Sequence, residues 1–218
     1  MRQLILDLLP EIPQSLDNFI VGYNAETLSA LAGWLLPENK ETSFFLWGNT
    51  GTGKTHLLKA CEAFYCAGTE NPDLANINDD LFSYAVDNVT ALSTQGQIAL
   101  FNLFNHLHMN GGKLLVADQA PPQQLALRED LRTRLGSGLI YHLNLLSDQD
   151  KKKALVAQAK SRNMPLSGEM IDYLLARAPR NMRSLMALLV ALDQYAMERK
   201  RTITFPLLRE ILHTPLNF

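Results

Sequence analysis

Residues 48–55 read GNTGTGKT and satisfy the spacing G-x-x-x-x-G-K-[ST]. One chemistry needs all of these residue types at once, the binding of a nucleotide's phosphates. Gly48, Gly51 and Gly53 permit a backbone that turns the N–H groups around Asn49, Thr50 and Thr52 toward phosphate oxygens. Lys54 reaches the β- and γ-phosphates, and Thr55 offers a hydroxyl to Mg2+. His56 lies just behind, in the first turn of a helix whose N-terminus adds its partial positive charge. The expected ligand is ADP or ATP with Mg2+. A second stretch, LFSYAVDNV (81–89), is an apolar strand that delivers Asp87 to its tip as a second magnesium anchor; an ordinary turn-capping Asp is the competing reading. The next residue is Asn88, at the position where many magnesium-dependent ATPases carry a carboxylate. Its amide can orient a water but cannot accept a proton. Phosphoryl transfer rests mostly on positioning and charge stabilisation, so the expectation is slow turnover, a switch rather than a motor.

The elements that must position these groups follow from periodicity. AETLSALAGWLL (25–36) spaces its apolar residues as a helix, and SFFLWG (43–48) is a short buried strand running into the phosphate loop. KTHLLKACEAFYCAG (54–68) reads as a helix closed by Gly68, and LANIN (74–78) as a weak strand. A helix over 95–110 stops at Gly111-Gly112, and KLLVA (113–117) and LIYHL (139–143) complete the strands. Strands alternating with helices predict an α/β fold, a parallel sheet with helices on both faces. From Ser147 the pattern is helical only, with Ser147, Ser167 and Asn181 at N-cap positions. The expected division is a Pro-punctuated extended tail over 1–15, a nucleotide-binding base over 16–146, and a small helical lid over 147–218.

Composition narrows the class. The 218 residues are 47% hydrophobic and 19% charged, with a net charge of −2, an ordinary globular balance that argues against a DNA-coating protein. Cys61 and Cys66 form no metal spacing and read as reduced thiols. LILDLLP near the start is too short for a signal segment and carries Asp7, and no apolar run approaches a membrane span. The expected location is the cytoplasm.

Several segments together resemble the replication-initiator branch of the AAA+ ATPases, the DnaA group, across nearly the full chain. LDNFIVGYNAETLSAL (16–31) is similar to the segment that opens the DnaA nucleotide domain, which implies that Phe19, Ile20, Val21 and Gly22 line the adenine pocket. ADQAPPQQL (117–125) resembles the sensor 1 segment and points to Asp118; Ala117 and Gln119 depart from the family's hydroxyl before and Arg after this Asp. LRTRLGSGLIYHL (131–143) looks like the arginine-finger segment, with Arg134 in the finger position and Arg132 close by. APRNMRSLMALL (178–189) resembles the sensor 2 helix, with Arg183 directed to the phosphates. Taken singly, each Arg reads more readily as a solvated surface charge; their order and spacing together favour function. QLILDL (3–8) is similar to the peptide that docks in the bacterial sliding clamp, with Gln3 for a polar subsite and Leu4, Leu6 and Leu8 for apolar ones. An arm that merely covers the domain is the other reading of those residues.

Within that group the resemblance is to the regulatory inactivators of DnaA. It implies a nucleotide-bound adaptor, tethered to the DNA polymerase sliding clamp, that makes DnaA hydrolyse its ATP and so prevents re-initiation. Catalysis of its own is not the expected role. Head-to-tail packing of subunits, homo-oligomers included, belongs to the same implication. An ATP-dependent helicase or clamp loader is the alternative, opposed by Asn88. A nucleic-acid-binding module ranks last: no helix-turn-helix follows the lid in this sequence, and Lys151–Lys153 and Arg199–Arg201 read as solvated helix ends. Direct sequence-specific DNA binding is not expected.

Overall fold

The computed structural model describes residues 13–75, 77, 81–178, 181–199 and 202–213. Two compact units divide the chain, one over Pro13–Leu145 and one taking in the described residues from Leu146 onward.

The first unit runs α1 (Ala25–Leu35), β1 (Ser43–Trp47), α2 (Lys54–Ala60), β2 (Phe64–Ala67), β3 (Ser83–Asp87), α3 (Thr94–Asn110), β4 (Lys113–Asp118), α4 (Glu129–Gly136) and β5 (Leu139–His142). Short 3-10 turns at Val89–Ala91 and Pro122–Gln124 follow β3 and β4. The five strands form one parallel sheet in the order β2-β3-β4-β1-β5. Near-continuous apolar strands are what a sheet covered on both faces requires. Period-two alternation sorts their side chains. Phe45, Tyr84, Val86, Leu114 and Val116 meet α3 and α4 through Leu100, Leu103, Phe104, Leu107, Leu131 and Leu135. Phe44, Leu46, Ala85, Leu115 and Ala117 meet α1 and α2 through Leu31, Trp34, Leu57 and Leu58. Helices therefore cover both faces, as the alternation of strands and helices in the sequence requires.

Two expected elements are corrected. The helix read over 54–68 ends at Ala60, and residues Phe64–Ala67 are a strand paired with β3 from Phe64↔Tyr84 to Ala67↔Asp87. Glu62 takes a left-handed conformation (φ 52°), which breaks the helix, and the aromatic pair Phe64-Tyr65 suits an edge strand. The strand read over 74–78 is absent among its described residues, where Leu74 sits buried at φ 49° in a turn.

The second unit contains α5 (Asp148–Ser161), α6 (Gly168–Arg177), α7 (Met182–Arg199) and α8 (Phe205–His213). Each of the three expected caps is made: Ser147 accepts from the Asp150 N–H, Ser167 from the Met170 N–H, and Asn181 Oδ1 from the Ser184 N–H at 2.8 Å. Leu155, Ile171, Leu174, Leu185, Leu189 and Leu208 form its core. Among the described residues no helix is long and apolar enough to cross a membrane.

Candidate functional site

The chemistry gathers at the carboxyl ends of β1, β3 and β4, where parallel sheets of this kind bind ligands. Strand β1 ends at Trp47, in register with Asp118 of β4, and the loop leaves at Gly48 with its N–H on the Asp118 carbonyl at 3.2 Å. A side chain at Gly48 would place a Cβ 2.4 Å from the Leu143 carbonyl oxygen. At the other end Gly53, at φ 101°, begins α2, and a Cβ there would lie 2.6 Å from Cε2 of Phe19. Both close approaches require glycine. Between them Asn49, Thr50 and Gly51 are exposed, while buried Thr52 donates its hydroxyl to the Asn49 carbonyl at 3.0 Å.

Lys54 is buried and turned back into this loop, donating to the carbonyls of Gly48 (2.6 Å) and Asn49 (3.0 Å). Burial holds its pKa below the usual lysine value, partly countered by the negative charges of Asp87 and Asp118. An anionic phosphate would relieve that cost. Thr55 donates its hydroxyl to Asp87 Oδ2 at 2.5 Å. A neutral hydroxyl beside a buried carboxylate is a hard oxygen donor pair, the kind Mg2+ takes along with substrate phosphates and waters. The donor set fits that ion.

Asp87 Oδ1 accepts from the backbone N–H of Asn88 at 3.0 Å. Asn88 itself is left-handed (φ 54°, ψ 55°) and half-buried. Asp118 is buried and its carboxylate is fully engaged: Oδ2 accepts from the Thr90 N–H and hydroxyl, both at 2.8 Å, and Oδ1 from the Gln119 N–H at 2.7 Å. It ties the turn after β3 to the end of β4. Neither Thr90 nor Tyr65, whose hydroxyl reaches Asp87 Oδ2 at 3.3 Å, belongs to a motif, so sequence reasoning passed over both.

In the opening segment Phe19 packs edge-on against His56 at 5.5 Å, and the His56 ring nitrogen meets the Ser15 carbonyl at 3.0 Å. Ile20 is half-buried, and Val21 and Gly22 are exposed beside them in sequence. Arg134 is exposed on α4, its guanidinium 5.9 Å from the centre of the Phe104 ring, in a groove with Phe101, Glu129, Asp130 and Thr133. Arg132 is half-buried. Two residues apart on a helix the two arginines point about 200° apart, so a single partner face meets only one of them. Lys54, Thr55, Asp87 and Asp118 thus converge, with Phe19 and His56 beside the loop, while Arg134 is exposed on α4 beside Phe104. Arg183 lies in α7, its side chain outside the described residues, as are Gln3, Leu4, Leu6 and Leu8. Burial pushes the Cys61 thiol up to about 12 and raises that of Cys66.

Residues 148–212 match the family described as Hda, lid domain. An uncharacterized protein of Haemophilus influenzae is 32% identical over 191 residues, which cover 80% of this chain and 83% of that protein. Domain III of the replication initiation protein DnaA from Thermotoga maritima superposes with a TM-score of 0.74 at 19% identity, covering 92% of this chain and 95% of that one. DnaA of Aquifex aeolicus bound to AMPPCP gives a TM-score of 0.68 at 26% identity, over 88% of this chain and 70% of that one.

Proposed function

We propose, from the premise that this chain belongs to the DnaA-related AAA+ family and is of the Hda type, that it regulates initiation by acting on a partner's nucleotide. In this reading it holds ADP or ATP at Gly48–Thr55 and His56, with Phe19, Ile20, Val21 and Gly22 against the base and Arg183 toward the phosphates. Residues 1–15 are the tethering arm, 16–146 the base and 147–218 the lid. Thr55 and Asp87 hold Mg2+, which when bound neutralises charge on the phosphate oxygens. Gln3, Leu4, Leu6 and Leu8 dock on the DNA polymerase sliding clamp, and Arg134 reaches the ATP of DnaA. The partners place the protein in the cytoplasm.

The observation that carries this reading is the pairing of a complete phosphate loop with Asn88. Lys54, Thr55 and Asp87 are assembled for nucleotide, yet the residue after Asp87 has no carboxylate to accept a proton. A helicase or clamp loader turning over its own ATP needs one. Arg134, exposed on α4 with its guanidinium beside Phe104, suits action in trans. A guanidinium placed on the γ-phosphoryl group of another subunit contributes on the order of 10³–10⁵ in rate where such fingers act.

The test is hydrolysis of DnaA-bound ATP with this protein and DNA-loaded clamp, each omitted in turn. Stimulation should require both. Arg134→Ala should abolish it while ADP binding and clamp retention persist, and Arg134→Lys should restore little, because an ammonium lacks the planar fork. If Arg132→Ala abolishes stimulation and Arg134→Ala does not, the finger is Arg132. If neither matters, the trans mechanism fails.

A further inference from the structure

The phenol of Tyr65 has no place in the phosphate-binding motif. Tyr65 lies on the edge strand β2, in register with Ala85 of β3, two residues before Asp87 on that neighbouring strand. Its ring packs in the layer shared with α2, and the Lys59 ammonium sits 4.8 Å from the ring centre. Its hydroxyl reaches Asp87 Oδ2, the same oxygen that accepts from Thr55. With the Asn88 N–H on Oδ1, the buried Asp87 carboxylate takes donors at both oxygens. A phenylalanine would fill the same ring volume and offer Lys59 the same face. Among the described residues the hydroxyl's hydrogen-bond partner is Asp87.

We infer that Tyr65 is a positioning residue for the metal half of the nucleotide site, fixing the plane of the Asp87 carboxylate so that it and Thr55 present oxygens to a divalent cation together. The inference rests on the proposed Mg2+-nucleotide reading. The physical ground is that Thr55 can offer a lone pair to a cation while still donating to Asp87 Oδ2, so both oxygens face the ion together only if the carboxylate keeps its plane. That plane is set by a broad, soft terminal torsion, against which the Asn88 N–H holds Oδ1 and Tyr65 adds a second donor at Oδ2. Partners of this outer kind are typically worth about 10–100-fold in metal affinity.

The experiment compares ADP affinity by calorimetry in Mg2+ and in EDTA for the wild type, Tyr65→Phe and Lys59→Met. The wild type should bind ADP more tightly with Mg2+. In Tyr65→Phe that Mg2+-dependent gain should fall about tenfold, with the affinity in EDTA unchanged. Lys59→Met should keep the full gain, since it leaves the hydroxyl in place. A Tyr65→Phe protein that melts lower yet keeps the wild-type gain would mean the phenol is only structural, overturning the inference and leaving the nucleotide reading intact. A wild type that binds ADP equally with and without Mg2+ overturns the metal assignment and the inference with it.

Discussion

Replacing Lys54 with Met separates a phosphate-binding lysine from a structural one. Within the loop the ammonium is bonded to the Gly48 and Asn49 carbonyls and is already desolvated. An opposite unit charge at 4 Å and an effective dielectric of 20 is worth about 4 kcal/mol. Releasing the two carbonyls returns about 1–1.5 kcal/mol of that. The remainder, about 2.7 kcal/mol, is roughly a hundredfold in affinity. With ADP at a thousand times the wild-type Kd, ligand stabilisation is about 4.1 kcal/mol, and a hundredfold weaker site leaves about 1.4. At about 3 °C per kcal/mol the wild-type melting shift of about 12 °C should shrink to about 4 °C. The melting of ligand-free protein should move by only a few degrees, because Met also removes a buried charge. The pH dependence has a definite sign. The native pKa of Lys54 is lowered, so its burial cost is fully present below that value and is relieved as pH rises toward the ordinary 10.5. Wild type should therefore gain stability relative to Lys54→Met on going alkaline. An unchanged ADP shift in Lys54→Met, or a collapse of the ligand-free fold at neutral pH, would refute the argument.

Asp118→Ala removes the acceptor from three donors at a buried site and should cost about 2–4 kcal/mol, read as a lower denaturation midpoint; a wild-type midpoint would contradict the clamp between β4 and the turn after β3. Alkylation of Cys61 in the native protein should climb with pH well past 9, since burial pushes its pKa up to about 12. Because the unfolded thiol ionises near 9.0 and the native one only near 12, that residue's contribution to stability is lost as pH rises across the interval; a plateau in alkylation rate near pH 9 would refute this. Asn88→Glu should lower stability by about 1 kcal/mol, because the backbone there is left-handed and Asn tolerates that conformation better than Glu. Its ATP hydrolysis in isolation should remain slow, and a tenfold rise would show that the missing carboxylate alone limits turnover.

The sequence carries the phosphate loop in full, because each position answers to a backbone or charge requirement that only one or two residue types meet. Asp87 was legible for a related reason: an apolar run ending in one Asp reads as a buried strand presenting a carboxylate. The lid caps were legible because Ser147, Ser167 and Asn181 act on N–H groups three residues away. What failed was the boundary after α2. LLKACEAFYCA sustains an apolar pattern that a helix and a strand share, and the break at Glu62 depends on a left-handed residue that no composition marks. Thr90 and Tyr65 were invisible for a different reason. Their partners, Asp118 and Asp87, lie on neighbouring strands 28 and 22 residues away, and only the parallel register brings them within reach.

That register also bears on why the site suits a switch. The turn carrying Asn88 is held from both ends, by Asp87 Oδ1 on the Asn88 N–H and by Asp118 Oδ2 on Thr90. Asp118 spends its charge on this turn, and the residues flanking it offer little else. Ala117 is buried in the apolar layer beneath α1 and α2, where a hydroxyl would need a partner, and Gln119 is exposed and uncharged. A new carboxylate at position 88 would enter on a fixed, left-handed backbone beside a strand end that lacks both the hydroxyl and the arginine of the family pattern. On the reading proposed above, slow turnover is distributed over the turn, β4 and its exit, and Asn88→Glu alone is expected not to undo it. Lys54, Thr55 and Asp87 remain gathered beside that turn, which is what the proposed separation of binding from hydrolysis requires. On that reading the chain acts on ATP by lending a charge to another subunit's transferred phosphate, which is the task assigned above to Arg134.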